Sequence, residues 1–251
     1  MKLYNTLQKK LIEVKPSKDN TVRIYSCGPT VYDHAHIGNL SAYIFADTLG
    51  KSLRLAGYKT KHVMNYTDVD DKTIKRSHDM YPEMDPNESL KKLTEHYIKL
   101  FLTDIKDIGI DVDNFTFIKA TDSIEAMKHL IAKLYDADMA YVTDDGIYFS
   151  IEKYIASGKN YGQLLEITPQ NTGEARIQND EYDKESVHDF ALWKKQKDGE
   201  PAWDFALGKH NLKGRPGWHI ECSAMSQQEL GIPFDIHTGG IDHIPVHHTN
   251  E

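Results

Sequence analysis

The carboxy-terminal part of the sequence is rich in side chains that bind transition metals. Six of the thirteen histidines of the 251-residue chain fall in one stretch: His210, His219, His237, His243, His247 and His248. His247 and Glu251 are four residues apart, so they share a face if this segment is helical. The chain also has two cysteines, Cys27 and Cys222. Thiolates, imidazoles and carboxylates all bind zinc, so these residue types point to a possible zinc site.

Residue spacing alone leaves the ligands of such a site open. Cys222 is equally consistent with an ordinary buried thiol. His247 and His248 are equally consistent with a solvated surface. Cys27 lies far from the others in sequence. A metal in the histidine-rich tail and a metal-free tail both remain open at this point.

A second group of candidate residues is the tetrapeptide HIGN at positions 36–39. It follows a strand and a Gly-Pro loop and opens a helix, where free backbone N–H groups and the helix dipole favour phosphate. Gly38 allows a close approach to the backbone, and His36 is able to hydrogen-bond phosphate oxygens. The alternative interpretation is that His36 only caps the helix.

The third group is the stretch TGGID at positions 238–242, which follows a strand. Glycines followed by an acid are typical of a backbone approach to a sugar whose hydroxyls bind the carboxylate. A glycine-rich turn in which Asp242 caps the next segment explains the same residues. Trp218 is either the wall of a pocket or part of the core.

The composition narrows the class of protein. Hydrophobic residues make up 39% and charged residues 27%, which suits a globular protein of one large domain or one domain with an insertion. No run of 18 apolar residues and no secretory signal are present, so we expect a cytoplasmic protein without a membrane span. Two cysteines favour a reducing compartment. The net charge of -8 gives no argument for nucleic-acid binding and does not exclude it.

The elements that must position these residues begin with a predicted β-α-β unit. Residues 22–27 and 61–66 have the composition of buried strands, and the apolar spacing from Ile37 onward predicts a helix that ends at Gly57. Ligands of parallel sheets bind beyond the carboxyl ends of the strands. We therefore expect Cys27 and Thr67 at the same edge of the sheet.

The rest of the chain predicts an interrupted sheet. Helices are expected over 87–109, 123–137 and 218–230, and strands near 115–118, 190–194 and 234–237. An Asp-Gly turn at 145–146 predicts a hairpin. Residues 156–189 are polar and without periodicity, which indicates a surface excursion. The fold class predicted is α/β, a nucleotide-binding parallel sheet with an insertion.

Taken in order, several segments resemble the cysteinyl-tRNA synthetase family. They are LYNT (3–6), CGPTVYD (27–33), HIGN (36–39), NYTDVDDK (65–72), FALWK (190–194), GRPGWHIECSAM (214–225), FDIH (234–237) and HHTNE (247–251). The resemblance implies a class I synthetase fold, a Rossmann-type parallel sheet with a connective insertion. On this basis we predict the first half of the catalytic domain over 1–110, the insertion over 111–190 and a return to the catalytic domain over 191–251.

The resemblance also implies roles for individual residues. The zinc ligands, with one ion per chain, are Cys27, Cys222, His247 and Glu251. The catalytic signature residues are His36 and Asn39. ATP and the adenylate contact Thr30, His36, Gly38, Asn39, Gly240 and Asp242. The substrate cysteine contacts Gly28, Thr67, Trp218 and His237. The implied substrates and partners are L-cysteine, ATP with Mg²⁺ and tRNA(Cys), with neither a membrane nor DNA among them.

The chemistry explains why such an enzyme uses zinc. Cysteine and serine differ by one atom, and cavity size separates such similar substrates by only about 1–3 kcal/mol. Zinc binds a thiolate far better than a hydroxyl, so the metal selects the substrate thiol and is not expected to generate hydroxide. Adenylate formation then needs positioning and charge stabilisation, without a covalent enzyme nucleophile.

The sequence departs from the family pattern in several places. Asn39 replaces the commoner histidine of the signature, Ser41 stands where a basic residue is frequent, and Thr238 interrupts a run of glycines. No KMSKS-type loop or anticodon-binding domain follows Glu251, so we interpret the chain as an amino-terminal fragment that alone exchanges ATP poorly or not at all. Two alternatives remain, the cysteine ligase of mycothiol synthesis and a non-catalytic zinc- or cysteine-binding paralogue.

Overall fold

A computed structural model describes residues 1–164 and 189–251 of the chain. The strands are β1 (Lys2–Asn5), β2 (Lys10–Glu13), β3 (Thr21–Ser26), β4 (Lys59–Tyr66), β5 (Phe115–Lys119), β6 (Ala140–Val142), β7 (Gly146–Phe149), β8 (Phe190–Lys195), β9 (Ala206–Leu207), β10 (His210–Asn211), β11 (Gly214–Pro216) and β12 (Ile236–Thr238). The α-helices are α1 (Ile37–Leu55), α2 (Asp71–Met80), α3 (Pro86–Asp107), α4 (Ile124–Asp136), α5 (Ile151–Ala156) and α6 (Trp218–Leu230). Within the described ranges, none of these helices combines the length and apolar character needed to cross a bilayer.

The central element is a parallel sheet of four strands in the order β12-β3-β4-β5. The strands β3 and β4 pair over six residues, and β12 pairs with β3 on the other side. The last five residues of β4 are buried, as expected for an inner strand covered on both faces. Because all four strands run in the same direction, their carboxyl ends open at one edge of the sheet. This edge carries the candidate functional residues.

A second sheet of four antiparallel strands, in the order β11-β8-β7-β6, lies between β5 and β12 in sequence. The predicted hairpin with its Asp-Gly turn is confirmed, because β6 pairs with β7 through Thr143–Gly146. Gly217, which joins β11 to α6, approaches β8 so closely that an added Cβ would lie 1.9 Å from the Ala191 carbonyl oxygen. This close approach fixes the start of α6 against the second sheet.

One hydrophobic cluster joins the two sheets. It includes Tyr25 of β3, Val63 of β4 and the fully buried Trp193 of β8. Helices α4 and α6 pack against each other in the same cluster. Burial of side chains of this size contributes about 1.5–3 kcal/mol each. The shared core therefore holds α6, and the functional residues at its start, rigidly against the parallel sheet.

The two sheets are also connected by charged groups. Arg215 of β11, with only 4% of its side chain exposed, forms an ion pair with Asp71 at the start of α2. Lys194 of β8 lies 3.3 Å from the same carboxylate. Both cations lower the pKa of Asp71 against the opposing effect of its partial burial. The link connects the segment that follows β4 to the second sheet.

The structure agrees with most of the helices and strands predicted from the sequence, but it also contains elements that were not predicted. The helix predicted over 218–230 is confirmed, and the predicted helices and strands elsewhere shift by a few residues. The hairpin β1–β2 and the helix α2 were not predicted. The strand β5 pairs in parallel with β4, although residues 115–119 fall within the range expected for the insertion. The domain boundaries stay a prediction, and most of the polar stretch 156–189 lies outside the described residues.

The buried histidine of β4 provides a test of the parallel sheet. His62 is 1% exposed and its Nε2 lies 2.7 Å from the Ser26 hydroxyl. Burial and the nearby Arg54 guanidinium lower the pKa of His62 to about 4. The unfolded chain binds this proton near the ordinary histidine pKa, roughly 6.5, and the folded chain does not. Stability is therefore lost as the pH falls from about 6.5 towards about 4.

We expect the His62→Gln variant to lose this acid sensitivity. Between pH 7 and pH 5, the unmodified protein should lose about 2 kcal/mol more unfolding free energy than the variant does. Urea unfolding of both proteins at the two pH values measures the difference. Equal losses in the two proteins would show that His62 is not the group responsible.

Candidate active site

The carboxyl edge of the parallel sheet brings three loops together. Cys27 follows β3 directly, and its N–H donates to the carbonyl of Thr238 at the end of β12, at 3.2 Å. Thr67 follows β4 and pairs with Thr30, with its N–H donating to the Pro29 carbonyl at 3.0 Å. Cys27 and Thr67 thus lie at one edge, as the β-α-β interpretation predicts.

Four predicted metal ligands converge at this edge. Cys27 Sγ lies 3.9 Å from Cys222 Sγ, near the start of α6, and 3.7 Å from Glu251 Oε1. His247 Nε2 lies 2.8 Å from the same carboxylate oxygen. One ligand atom from each of the four residues lies within 4.8 Å of the others. The structure therefore assembles two sulfurs, one imidazole and one carboxylate from three different parts of the chain.

The spacing and chemistry of this cluster fit a zinc ion. Two zinc–sulfur bonds of about 2.3 Å at a tetrahedral angle place their sulfur atoms about 3.8 Å apart, close to the observed 3.9 Å. Cys222 is 3% and His247 1% exposed. The hydrogen bond to Cys27 and burial raise the pKa of the Cys222 thiol well above its ordinary value. A cation bound by these four donors would stabilise both sulfurs as thiolates.

The carboxylate of this cluster is already ionised. Burial acts to raise the pKa of Glu251, but the hydrogen bonds from His247 and His248 hold it well below its usual range. His248 Nδ1 lies 2.8 Å from Glu251 Oε2. Gly239 leaves the space that the His248 ring occupies, because an added Cβ would lie 2.1 Å from His248 Nε2. The position of Glu251 thus depends on His248 and Gly239 as well as on His247.

A second set of donor atoms overlaps the first. His237 Nε2 lies 3.6 Å from Cys27 Sγ and 3.3 Å from Glu251 Oε2. Together with His248, these residues form a group whose ligand atoms also lie within 4.8 Å of one another. His237 is the most exposed member, on the open side of the cluster. It therefore borders the space through which a small molecule would reach the cluster.

Aromatic and imidazole rings surround the buried side of the cluster. Trp218, the first residue of α6, stacks on His247 with ring centroids 4.2 Å apart and planes 18° apart. It is half-buried, so the pocket-wall interpretation fits better than the core interpretation. His219 Nδ1 lies 3.0 Å from His247 Nδ1, and Asn250 Nδ2 lies 3.2 Å from His219 Nε2. Such outer contacts orient a ligating imidazole.

A buried amide that was not predicted positions the loop after β3. Asn65, 1% exposed, accepts from the Gly28 N–H at 2.9 Å through Oδ1. Its Nδ2 donates to Thr67 Oγ1 at 3.1 Å. An added Cβ at Gly28 would lie 1.8 Å from the Asn65 carbonyl oxygen, so only glycine fits there. The sequence signal that could have revealed this role is a polar residue inside the apolar strand before TDVDD.

The HIGN segment forms the amino-terminal cap of α1. His36 Nδ1 accepts from the Gly38 N–H at 3.1 Å, and Asn39 Oδ1 accepts from the His36 N–H at 3.3 Å. His36 therefore caps the helix, which does not decide between the two interpretations, and its role in phosphate binding stays a prediction. All three residues are exposed at the rim of the sheet edge.

The glycine-rich segment after β12 lies at the same rim. Gly240 precedes a single turn of 3₁₀-helix at Ile241–His243, and 80% of the Asp242 side chain is exposed. Among the predicted contacts, the structure brings His237 and Trp218 to the cluster of candidate metal ligands. It leaves the HIGN segment, Gly240 and Asp242 on the open rim. Sequence reasoning missed the supporting role of Asn65, and it named His219 and His248 among the histidine candidates without assigning them a supporting role.

The fold and this site define a class of enzyme. The family model described as "tRNA synthetases class I (C) catalytic domain" matches residues 13–251, and the chain belongs to this family. The solved structure of Mycobacterium tuberculosis methionyl-tRNA synthetase bound by methionyl-adenylate is similar in fold, with a TM-score of 0.59, 14% identity and coverage of 89% of this chain and 52% of that one. The Rossmann-type class I fold expected from the sequence is thereby confirmed.

Curated relatives that match this chain are cysteine–tRNA ligases. The chain is 45% identical to a cysteine–tRNA ligase of Koribacter versatilis over 100% of this chain and 48% of the relative. It is 46% identical to the cysteine–tRNA ligase of Brachyspira hyodysenteriae, over 99% of this chain and 50% of the relative. It is 43% identical to the cysteine–tRNA ligase of Pyrococcus furiosus, over 100% of this chain and 50% of the relative. The chain thus spans about half the length of the curated relatives it matches.

The buried amide provides a test of how the site is positioned. We expect Asn65→Leu to leave the Gly28 N–H and the Thr67 hydroxyl without a partner, which lowers the unfolding free energy by about 1–3 kcal/mol. The matched control is Asn114→Leu, an exposed asparagine whose loss should change stability by less than about 0.5 kcal/mol. Urea unfolding measures both, and equal effects would contradict the positioning role of Asn65.

Proposed function

We propose that the chain carries the catalytic part of a cysteine–tRNA ligase. The reaction is the activation of L-cysteine with ATP to cysteinyl-adenylate, followed by transfer of the cysteinyl group to tRNA(Cys). The observation that carries this proposal is the cluster of two cysteine sulfurs, one imidazole and one carboxylate at the carboxyl edge of the parallel sheet. Membership of the class I (C) family and identities of 43–46% to cysteine–tRNA ligases support it.

The proposed metal is one Zn²⁺ per chain, held by Cys27, Cys222, His247 and Glu251. Its contribution when bound would be a preference for a thiolate over a hydroxyl at the position of the substrate side chain. This contribution is needed because a cavity alone separates cysteine from serine by only about 1–3 kcal/mol. The observed proximity of the two sulfurs and the burial of Cys222 and His247 support the assignment.

The residues around this cluster are proposed to hold the substrate cysteine. Trp218 provides an aromatic wall beside His247, and His237 lies on the open side, 3.6 Å from Cys27 Sγ. Burial lowers the pKa of His237, although the Glu251 carboxylate opposes this effect. A neutral His237 is able to accept a hydrogen bond. Gly28 and Thr67, joined through Asn65, line the same edge of the sheet.

The proposed activation step needs no covalent bond to the protein. The cysteine carboxylate attacks the α-phosphate of ATP, a P–O bond forms, and pyrophosphate leaves. The protein positions the two groups and stabilises the charge that develops on the phosphate. The start of α1 supplies Gly38 N–H, His36 and Asn39 for this purpose, and the helix dipole favours the anion. Thr30, Gly240 and Asp242 are proposed contacts of the nucleotide, which enters with Mg²⁺.

Two other functions receive less support. The mycothiol-pathway cysteine ligase and the non-catalytic paralogue share the same motifs, but the relatives identified here are named cysteine–tRNA ligases. The division into catalytic domain and insertion, the roles of individual site residues and the cytoplasmic location remain predictions.

Amino-acid activation is the first test of this function. We expect the complete gene product to catalyse ATP–pyrophosphate exchange that depends on cysteine, with kcat/KM for serine lower by well over about 200-fold. A cavity alone reaches only about 10–200-fold for such a small difference, so a larger ratio requires discrimination by the metal. Steady-state exchange with each amino acid measures the ratio. Absence of cysteine-dependent exchange would reject the proposed function.

Zinc affinity is the second test. We expect Cys222→Ser to weaken zinc binding by more than about 100-fold, which exceeds the usual effect of losing a residue that only supports a ligand. Gln228→Ser, an exposed position on the same helix, is the matched control and should bind zinc normally. Competition with a chromophoric chelator measures both affinities. Unchanged zinc affinity in Cys222→Ser would refute the proposed ligand set.

A further inference from the structure

The hydroxyl of Tyr25 is a buried polar group that the proposed chemistry does not use. Tyr25 is the fifth residue of β3 and is fully buried. In the parallel sheet it pairs with Val63 of β4 on one side and with His237 of β12 on the other. Within the described part of the chain, no group forms a hydrogen bond of ordinary geometry with its hydroxyl oxygen. Burying such a group costs free energy, so its presence calls for an explanation.

The Tyr25 side chain points towards α6 and the candidate metal ligands. Tyr25 and Cys222 belong to the same hydrophobic cluster, and Cys27 packs against it. The Tyr25 ring meets the His237 imidazole edge-on, with ring centroids 5.4 Å apart. The hydroxyl faces the Cys222 sulfur, and burial together with the sulfurs of Cys222 and Cys27 raises the pKa of Tyr25 well above its ordinary value. The phenol therefore borders the two sulfurs of the cluster.

The proposed zinc site requires hydrogen-bond donors around its sulfurs. Two thiolates and a carboxylate carry more negative charge than one Zn²⁺ neutralises, and Cys222 is buried away from water. Of the described side chains that contact the Cys222 sulfur, Cys27 is also a proposed thiolate, and Asn65 presents an oxygen at 4.0 Å, which only accepts. His247 is itself a proposed ligand. The Tyr25 hydroxyl is the neighbour that is able to donate.

We propose that the Tyr25 hydroxyl donates a hydrogen bond to the Cys222 thiolate in the zinc-bound protein and thereby increases the affinity of the site for zinc. The inference rests on the proposed function, because that function supplies the metal. In the zinc-free protein the hydroxyl faces a neutral thiol, which is a weak acceptor. When Cys222 loses its proton, the acceptor becomes charged and the hydrogen bond becomes stronger. Tyr25 is thus a positioning residue and not a ligand.

The same hydrogen bond accounts for the burial of the hydroxyl. The free energy that is spent on burying it in the zinc-free protein is recovered when the thiolate forms, so this free energy contributes to zinc binding. The donor is also held in place before the metal arrives, because the Tyr25 ring is fixed by the core cluster and by His237. Residues that hydrogen-bond to a ligand in this way orient the ligand and tune the metal.

Zinc affinity tests the proposal with a substitution that removes a single oxygen atom. We expect Tyr25→Phe in the complete gene product to bind zinc about 10–100-fold more weakly than the unmodified protein, the usual effect of losing a residue that supports a ligand. Competition with a chromophoric chelator gives the dissociation constants. Unchanged zinc affinity in Tyr25→Phe, with normal zinc binding by the unmodified protein, would overturn this inference and leave the proposed function intact. Absence of zinc binding by the unmodified protein would overturn both.

The matched control is Tyr66→Phe. Tyr66 is the last residue of β4 and is also buried, and its hydroxyl likewise has no hydrogen bond to any described residue. It packs in a different hydrophobic cluster, against Phe101 and other residues of α3. We expect Tyr66→Phe to bind zinc with the affinity of the unmodified protein. Equal weakening by both substitutions would show a general effect of losing a buried hydroxyl and would overturn the proposal.

The stability of the zinc-free proteins separates support of the metal from a purely structural role. Tyr25→Phe keeps the ring and removes a buried hydroxyl without an ordinary partner, so we expect the zinc-free variant to melt at the same temperature as the unmodified zinc-free protein or higher. A lower melting temperature of the zinc-free variant would show that the hydroxyl already stabilises the fold without the metal, and would overturn the proposal.

Cobalt substitution gives a spectroscopic test of the contact with sulfur. Co²⁺ bound by cysteine thiolates has a sulfur-to-cobalt charge-transfer band in the near ultraviolet. A thiolate without its hydrogen bond gives up charge to the metal more readily, so we expect this band to move to longer wavelength in Tyr25→Phe and to stay in place in Tyr66→Phe. The same band position in Tyr25→Phe and the unmodified protein would show that the hydroxyl does not bond to the sulfur, and would overturn the proposal.

Discussion

The contact between Cys27 and Cys222 is the constraint on which the rest of the candidate site depends. Their sulfurs lie 3.9 Å apart although the two residues are separated by 195 positions in sequence. Two thiolates and a carboxylate together in a buried space would be electrostatically costly without a compensating positive charge. The chain supplies part of this compensation itself, because His247 and His248 both hydrogen-bond to Glu251. A divalent cation would supply the rest.

Two structural connections make this contact possible. The loop after β3 is held by Asn65 through the Gly28 N–H, which fixes Cys27 at the end of its strand. The start of α6 is fixed by the close approach of Gly217 to β8, and the ion pair between Arg215 and Asp71 ties the second sheet to the segment after β4. The antiparallel sheet therefore positions Cys222 as much as the parallel sheet positions Cys27. The strands between β5 and β12 in sequence thus also serve the geometry of the site.

Local patterns in the sequence predicted the elements well but not the contacts between them. The helix that begins at Trp218 was predicted from its position after a Pro-Gly pair, and the turn at Asp145-Gly146 was predicted from its residue types. The convergence of Cys27 with Cys222 was not predictable from local patterns, because it depends on tertiary packing. Only the resemblance to a family joined them. The short helix α2 was missed because Asp70 caps it through side-chain bonds that a periodicity search does not detect.

The cap of α1 has a thermodynamic consequence for the nucleotide binding that the proposed function requires. The Gly38 N–H and the His36 imidazole already satisfy each other, and Asn39 closes the reciprocal bond. A phosphate that takes either group must first break an internal hydrogen bond, so it exchanges partners and does not fill an unused site. In the proposed function, part of the intrinsic binding energy of the nucleotide would be spent on opening the cap, and the nucleotide would then take over its role at the helix terminus. Affinity for the ground state would thereby be reduced, while an anion with more developed charge, which holds these donors more strongly, would be favoured.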